Sequence, residues 1–342
     1  MFYLLRPLFI VALFYSASFL YGQKEVAVLG FWNVENLFDT VNDPYKLDEE
    51  FTPGGTYAWD DERYRHKLQR LSEVISQIGR EHSPHGLSLL GMCEVENERV
   101  LEDLVNMPLL ARHNFKYVLI EGPDARGIDP CLLYNPAYFT LHNASSHRVG
   151  LSDTSHSTRD VLLAEGEFGG EKMAVIVCHW PSRRGGELAS RRNRVAAAIV
   201  VKRLCDNVLR KNAGTKIVIM GDLNDDPVSY SVRDILGAKP QTLNIRPAML
   251  YNTMAPLYLK GVGTLAWNDS WNLFDQIILN GSWLKGKGWQ FEEAYVFNRP
   301  FLVNEQGNFR GYPFRTFSGG IYTAGYSDHF PSFITITRSK QQ

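Results

Sequence analysis

The chain is poor in cysteine, shows no excess of either charge, and contains only one long uninterrupted apolar run. Its four cysteines, Cys93, Cys131, Cys178 and Cys205, have no paired spacing of the kind that builds a zinc cage. Three fall in apolar strand-like runs and Cys205 in a helical run. Buried free thiols are therefore expected ahead of disulfides, which an oxidising compartment would also permit. Lysine and arginine total 36 against 37 acids, a formal charge of -1. A tight, non-specific binder of polyanions usually carries a basic surplus, so that class is disfavoured, although a local basic face is compatible with this balance. Charged residues at 21% beside 44% hydrophobic ones argue against disorder and provide for one large core or two small ones. Internal repeats, low-complexity tracts and long polar linkers are all missing.

The apolar run lies at the start. Arg6 supplies a positive charge, residues 7–20 are almost wholly apolar, and Gly22-Gln23 offers a small residue at a cleavage point. The run is short for a membrane span and no stop-transfer charges follow. Residues 1–22 are read as a signal peptide and 23–342 as one exported catalytic domain, periplasmic or extracellular. No stable membrane association is expected once the signal is removed. An uncleaved anchor is the alternative, and with no cysteine near the cut, lipid attachment there is not expected.

Beyond this segment, short apolar runs alternate with amphipathic ones. Strands are expected near 26–31, 87–93, 116–120, 131–134, 161–168, 173–178, 216–220, 276–279 and 332–336. One helix should begin at Asp60 and Asp61, with Tyr64, Leu68, Leu71, Ile75 and Ile78 on its apolar face and Gly79 near its end. A second should run over 187–211, with Val195, Ile199 and Leu204 inward. Interleaved strands and helices indicate an α/β protein, most simply packed sheets flanked by helices. The polar, Gly-rich stretches after Gly261 and around 304–311 read as surface loops.

Five times an apolar run ends abruptly in an acid, amide or histidine. Residues 28–32 lead into Asn33-Val34-Glu35-Asn36, and 89–93 into Glu94-Val95-Glu96-Asn97. Residues 174–178 lead into His179, 217–221 into Asp222-Leu223-Asn224, and Tyr326-Ser327 into Asp328-His329. One such junction is an ordinary turn or cap. Five of one form imply that these side chains converge at one rim if the sheets align the strand ends. Carboxylate and amide oxygens suit a hard cation such as magnesium or manganese.

Trp32-Asn33-Val34-Glu35-Asn36-Leu37-Phe38, Glu94-Val95-Glu96-Asn97, His179-Trp180-Pro181-Ser182-Arg183, Gly221-Asp222-Leu223-Asn224 and Ser327-Asp328-His329 together resemble the endonuclease/exonuclease/phosphatase superfamily. The resemblance is ordered and spans about 26–336. It implies a four-layer α/β sandwich, two mixed β-sheets packed face to face with helices outside. It implies that Glu94 is the principal metal ligand, with Asn33 and Asp328 close by. Asp222 would be the general base, orienting water together with Asn224. Asp275 would pair with His329 to keep a charged imidazolium on the phosphate, and His179 would be a second phosphate contact. Glu35 and Glu96 could be supporting or capping acids, Asp269 competes with Asp275, and Asp225 and Asp226 suit a turn. One-metal and two-metal chemistry both stay open.

Arg159 matches a family arginine that supports the site, or forms a surface ion pair. Arg183 and Arg184, followed by Arg191, Arg192 and Arg194, make a basic cluster beside His179 that could bind substrate or be a solvated helix face. Trp32, Trp180 and Trp271 could stack on a base or sugar, or be core. The leading expectation is an exported nuclease or phosphodiesterase acting on phosphate esters, nucleic acid included. A phosphomonoesterase for a small phosphorylated sugar, inositol or nucleotide comes second. An inactive binding protein on the same scaffold comes third, and no protein partner is expected.

Overall fold

The computed structural model describes residues 24–151, 153 and 156–339. The expected signal segment lies outside these residues. Numbered in chain order, the strands begin with β1 (Lys24–Leu37), β2 (Leu87–Val95), β3 (Lys116–Leu119), β4 (Asp129–Tyr134), β5 (Phe139–His147), β6 (Val161–Phe168), β7 (Glu171–His179) and β8 (Lys216–Asp222). They continue with β9 (Ala238–Lys239), β10 (Leu250–Asn252), the hairpin β11 (Leu265–Trp267) and β12 (Ser270–Asn272), β13 (Asp275–Asn280) and β14 (Gln290–Val296). A second small hairpin, β15 (Phe317–Ser318) and β16 (Ile321–Tyr322), precedes β17 (Ser332–Ser339). One sheet has the order β14-β17-β1-β2-β4-β3 and the other β5-β6-β7-β8-β13-β10-β9.

Period-two alternation explains how the sheets stack. Ala27, Leu29 and Phe31 of β1 share a buried cluster with Val175 and Val177 of β7, Val218 and Met220 of β8, and Ile277 of β13. That cluster is the inter-sheet core. The opposite face of β1, with Val28, Trp32 and Val34, packs on the outer helices α1 (Asp61–Ile75) and α2 (Glu98–Val105). The outer face of β7 and β8, with Ala174, Ile176, Ile217 and Ile219, packs on α4 (Glu187–Lys211). A short α3 (Pro108–Ala111) and α5 (Ala255–Tyr258) complete the helices. The result is the four-layer sandwich with two mixed sheets inside. All four cysteines are free and buried. No helix among the described residues is long and apolar enough to cross a membrane.

Asp60 caps α1 by accepting from the amides of Glu62 and Arg63. The helix ends at Ile75, one turn short of the expected Ile78, which is buried in the following turn instead. The inward face of α4 also departs from expectation. Ile199 is 44% exposed, and the buried stripe is Ser190, Arg194, Ala197, Ala198, Val201, Leu204, Cys205 and Val208. The helix is rotated to carry Arg194 fully inside, where its Nε lies 2.8 Å from Asp225, an ion pair lying off the hydrogen-bond direction. Charge pairing therefore sets the phase that hydrophobicity alone would place differently.

Candidate active site

Strand register builds the site. In β7, β8 and β13, His179 pairs opposite Asp222 and Asp222 opposite Asp275, so three chemical side chains share one rim of the seven-stranded sheet. In the facing sheet, Asn33 of β1 pairs opposite Cys93 of β2, just before Glu94. Residues 327–329 enter β17, whose Ser332 pairs with Phe31, at the same end. Beyond Asn33 and Met92 the ladders are irregular. Glu35, Asn36, Glu94 and Asn224 take positive φ, a conformation that non-glycine residues adopt at a cost of roughly 1–3 kcal/mol. Such breaks redirect side chains out of the pleat. At Gly221 any Cβ would strike the carbonyl of Cys178, so only glycine lets β8 approach β7 this closely before Asp222.

The side chains meet. Asn33 Nδ2 donates to Glu94 Oε1 at 3.2 Å and to Asp222 Oδ2 at 3.1 Å, while its Oδ1 accepts from the Glu35 amide at 3.0 Å. Asn36 N–H donates to the other Glu94 oxygen. His179 Nε2 lies 3.6 Å from Asp222 and 3.9 Å from Glu94. His329 Nε2 lies 4.0 Å from Asp222 and 4.0 Å from Asp328. On its other side, His329 Nδ1 is 2.7 Å from Asp275, which also accepts from the Thr264 hydroxyl. Glu94, Asp222 and His329, far apart in sequence, thus form one cluster.

Electrostatics separates the two histidines. Burial works against charge on His329, but Asp275, then Asp328 and Asp222, raise it well above the usual histidine range. His179 falls well below that range because of burial, reinforced by Arg159, Arg126 and His329. Burial pushes the Asp222 carboxyl up, opposed by His329 and assisted by Asp275. Cys93 Sγ, His179 and Asp222 lie within 4.8 Å of one another, but burial followed by Asp222 and Glu94 keeps that thiol protonated.

Several expected residues have other tasks. Asn224 lies beyond β8, which ends at Asp222, and turns left-handed. Its amide donates to the Trp180 carbonyl at 2.9 Å, tying the two rim loops together, and its backbone N–H holds Asp222 Oδ1. Arg159 is buried against Asp124 at 3.3 Å and donates to the Trp180 carbonyl at 2.8 Å, so it is no surface ion pair. Arg183, expected to bind substrate, instead donates to the Asn224 carbonyl and pairs with Asp225 and Asp226. Arg184 is exposed. Arg194 belongs to the interior, so the basic cluster loses its two best-placed members to structural pairing. Trp32 and Trp180 are core, whereas Trp271 is 38% exposed and stacks on Phe330.

Glu35 binds the Thr316 amide and Arg315, and Glu96 accepts from the Asp39 amide, so both brace the site. Burial raises Glu96 to about 8. Sequence reasoning misses Lys67, Thr264 and Arg315. Arg315 donates to Asp328 at 2.9 Å. Lys67 is fully enclosed beneath it and donates to the Thr316 hydroxyl and the Tyr326 carbonyl. A lysine on the apolar stripe of α1, three residues after Tyr64, is the available signal for Lys67; Arg315 and Thr264 sit in loops with none.

A family model described as the endonuclease/exonuclease/phosphatase family matches residues 28–338. The chain belongs to that family. Solved structures share the endonuclease/exonuclease/phosphatase fold at low identity. A humanized D. rerio TDP2 matches with a TM-score of 0.55 and 14% identity, over 91% of this chain and 98% of that one. The catalytic domain of human nocturnin matches at 0.55 and 14%, covering 92% and 97%. A mannosyl-6-phosphatase of Bacteroides thetaiotaomicron matches at 0.53 and 14%, covering 91% and 99%. No curated protein matches the sequence.

Proposed function

We propose that this protein hydrolyses phosphate esters by in-line attack of water on phosphorus, with a divalent cation and no covalent intermediate. Membership of the endonuclease/exonuclease/phosphatase family supports the hydrolase class. The observation that carries the reading is the meeting of Glu94, Asp222 and His329 at one rim. The donors present suit a hard cation: Glu94 and Asp222 share the Asn33 amide, and Asp328 lies 4.0 Å from His329 Nε2. Glu94 and Asp328 would hold the cation, with Asn33 beside them. Magnesium or manganese bound there supplies charge stabilisation to the phosphate oxygens.

The remaining steps belong to the chain's own groups. Asp222 is fixed by Asn33 on one oxygen and the Asn224 amide on the other, and it takes the proton of the attacking water. Its raised affinity for a proton makes it a better acceptor than a surface aspartate. His329, held charged by Asp275, donates from Nε2 to a phosphoryl oxygen where negative charge accumulates. Neutral His179 contributes a second contact from Nε2, without adding a charge beside Arg159.

Between the two substrate readings, a small phosphomonoester is favoured over a polynucleotide, reversing the order expected from sequence. The reason is local: Arg183 and Arg194 are engaged by Asp225 and Asp226 and offer no track for a phosphate backbone. Fold likeness extends to a mannosyl-6-phosphatase and to a D. rerio TDP2 complexed with single-strand DNA product, so it supports either. An inactive scaffold is the weakest reading, since the expected chemical side chains still meet. Excess chelator should abolish turnover of a panel of DNA, RNA, nucleotides, inositol phosphates, sugar phosphates and phospholipid head groups. Full activity in chelator, or undiminished activity of Asp222→Ala, would overturn the proposal. Export is proposed from residues 1–22 alone, and N-terminal sequencing of the secreted protein, expected to begin near Gln23, checks it.

A further inference from the structure

A cavity of about 440 Å³ opens directly beside Asp328. One wall is the β11–β12 hairpin, whose turn residues Asn268 and Asp269 both take positive φ, the geometry of a tight two-residue turn. That turn leaves Trp267 71% exposed at the cavity wall. The opposite wall is Phe309 and Tyr312, from the polar loop near 304–311. The walls are tied together. Tyr312 donates its hydroxyl to Asp269 at 2.7 Å and receives the Asp269 amide at 2.8 Å, while Asn304 donates to the Pro313 carbonyl.

The charge in this cavity is unlike that of a nucleic-acid channel. Among the described residues Arg315 is the only cation lining it, and that guanidinium is already bound to Asp328 and Glu35. Asp269 and Asp328 face the same space, so a polyphosphate chain would meet net negative charge. What remains on offer is an indole face and polar groups from Asn268, Asn308 and Ser318. Phe309 and Tyr312 meet at 54° and make a corner rather than a parallel stack. A puckered ring with one C–H face and a rim of hydroxyls fits such a corner, with apolar contact on one side and hydrogen bonds around it.

We propose that this cavity seats the leaving group of the substrate and takes an uncharged, hydroxyl-bearing sugar ring, making the natural substrate a sugar monophosphate. The proposal rests on the hydrolase reading above. It adds that Trp267 and Phe309, on the cavity walls, set specificity.

The test compares the intact protein with Trp267→Ala and Phe309→Ala on two kinds of substrate, in magnesium. Hexose monophosphates, assayed singly, fill the cavity; acetyl phosphate has a leaving group too small to do so. Each variant should lose about tenfold more in kcat/KM on its best hexose monophosphate than on acetyl phosphate, through KM rather than kcat. Equal losses on both substrates, or no loss on either, would overturn the assignment. So would wild-type preference for adenosine monophosphate over ribose 5-phosphate by a margin that Trp267→Ala abolishes, since the cavity would then read a base. Efficient, strongly salt-sensitive cleavage of single-stranded DNA with no turnover of any hexose monophosphate overturns it as well. If nothing is hydrolysed, the hydrolase reading fails separately. Calorimetric titration with the same hexose monophosphates then decides the cavity's role, through binding that weakens in Trp267→Ala or through no binding at all.

Discussion

His179 ends a strand of the seven-stranded sheet and His329 leads into a strand of the six-stranded one, and the Nε2 atoms of both face Asp222. Both are almost fully enclosed, so burial discourages a proton on each. Their second nitrogens make the difference. His329 Nδ1 rests on Asp275, whereas His179 Nδ1 has no hydrogen-bond partner among the described residues and Arg159 and Arg126 lie nearby. One rim therefore carries a charged imidazolium and a neutral imidazole side by side. Residue type is identical; the neighbour behind each ring assigns the role.

The largest expected effect comes from removing the charged member. His329→Ala should lower kcat by about 10³-fold and His179→Ala by about 10²-fold, within the range for a positioned acid–base or electrostatic group. Equal losses in steady-state kinetics would break the distinction between the two rings.

Arg194→Ala touches neither ring directly. Removing the fully buried partner leaves Asp225 with only the partly exposed Arg183 as a cation, so urea denaturation should show a loss of about 3–5 kcal/mol. A small loss would mean that Arg183 alone satisfies Asp225.

Asp275→Asn tests the origin of the charge. With a proton required on His329, activity is retained below its raised pKa and lost as pH climbs through it. The amide removes the largest raising influence, so the alkaline limb of the pH profile should move to lower pH. The associated stability follows the same direction. It is present below the unfolded histidine pKa, fades as pH rises through the folded one, and should be missing in the variant. An unmoved alkaline limb would assign that proton to another group. The smallest effect is expected from Cys93→Ala, about 1 kcal/mol of stability with metal dependence unchanged. Altered metal preference in that variant would put the thiol among the ligands.

The cluster is legible in the strand-end motifs, because each apolar run stops at or just before a polar side chain that joins it. The strands that the pattern hides are instructive. β5 and β14 are both edge strands, and their exposed residues, among them Asn143, Glu292 and Glu293, interrupt the apolar pattern that marks a covered strand. Within the site, Arg183 reads as a substrate ligand in sequence because its distant partners, Asp225 and Asp226, can be matched to it only in three dimensions. Arg315 and Thr264 are invisible for the same reason: their partners Asp328 and Asp275 are 13 and 11 positions away, across loops with no periodicity.

Strand β17 lies between β14 and β1, at the interior of its sheet, and the residues just ahead of it are Asp328 and His329. During synthesis, β1 must wait for this late strand before its ladder can close. Every chain made only as far as β16 lacks both the fastening strand and two members of the candidate site, Asp328 and His329. On the proposed hydrolase reading, activity therefore requires the last strand of the sheet to be in place.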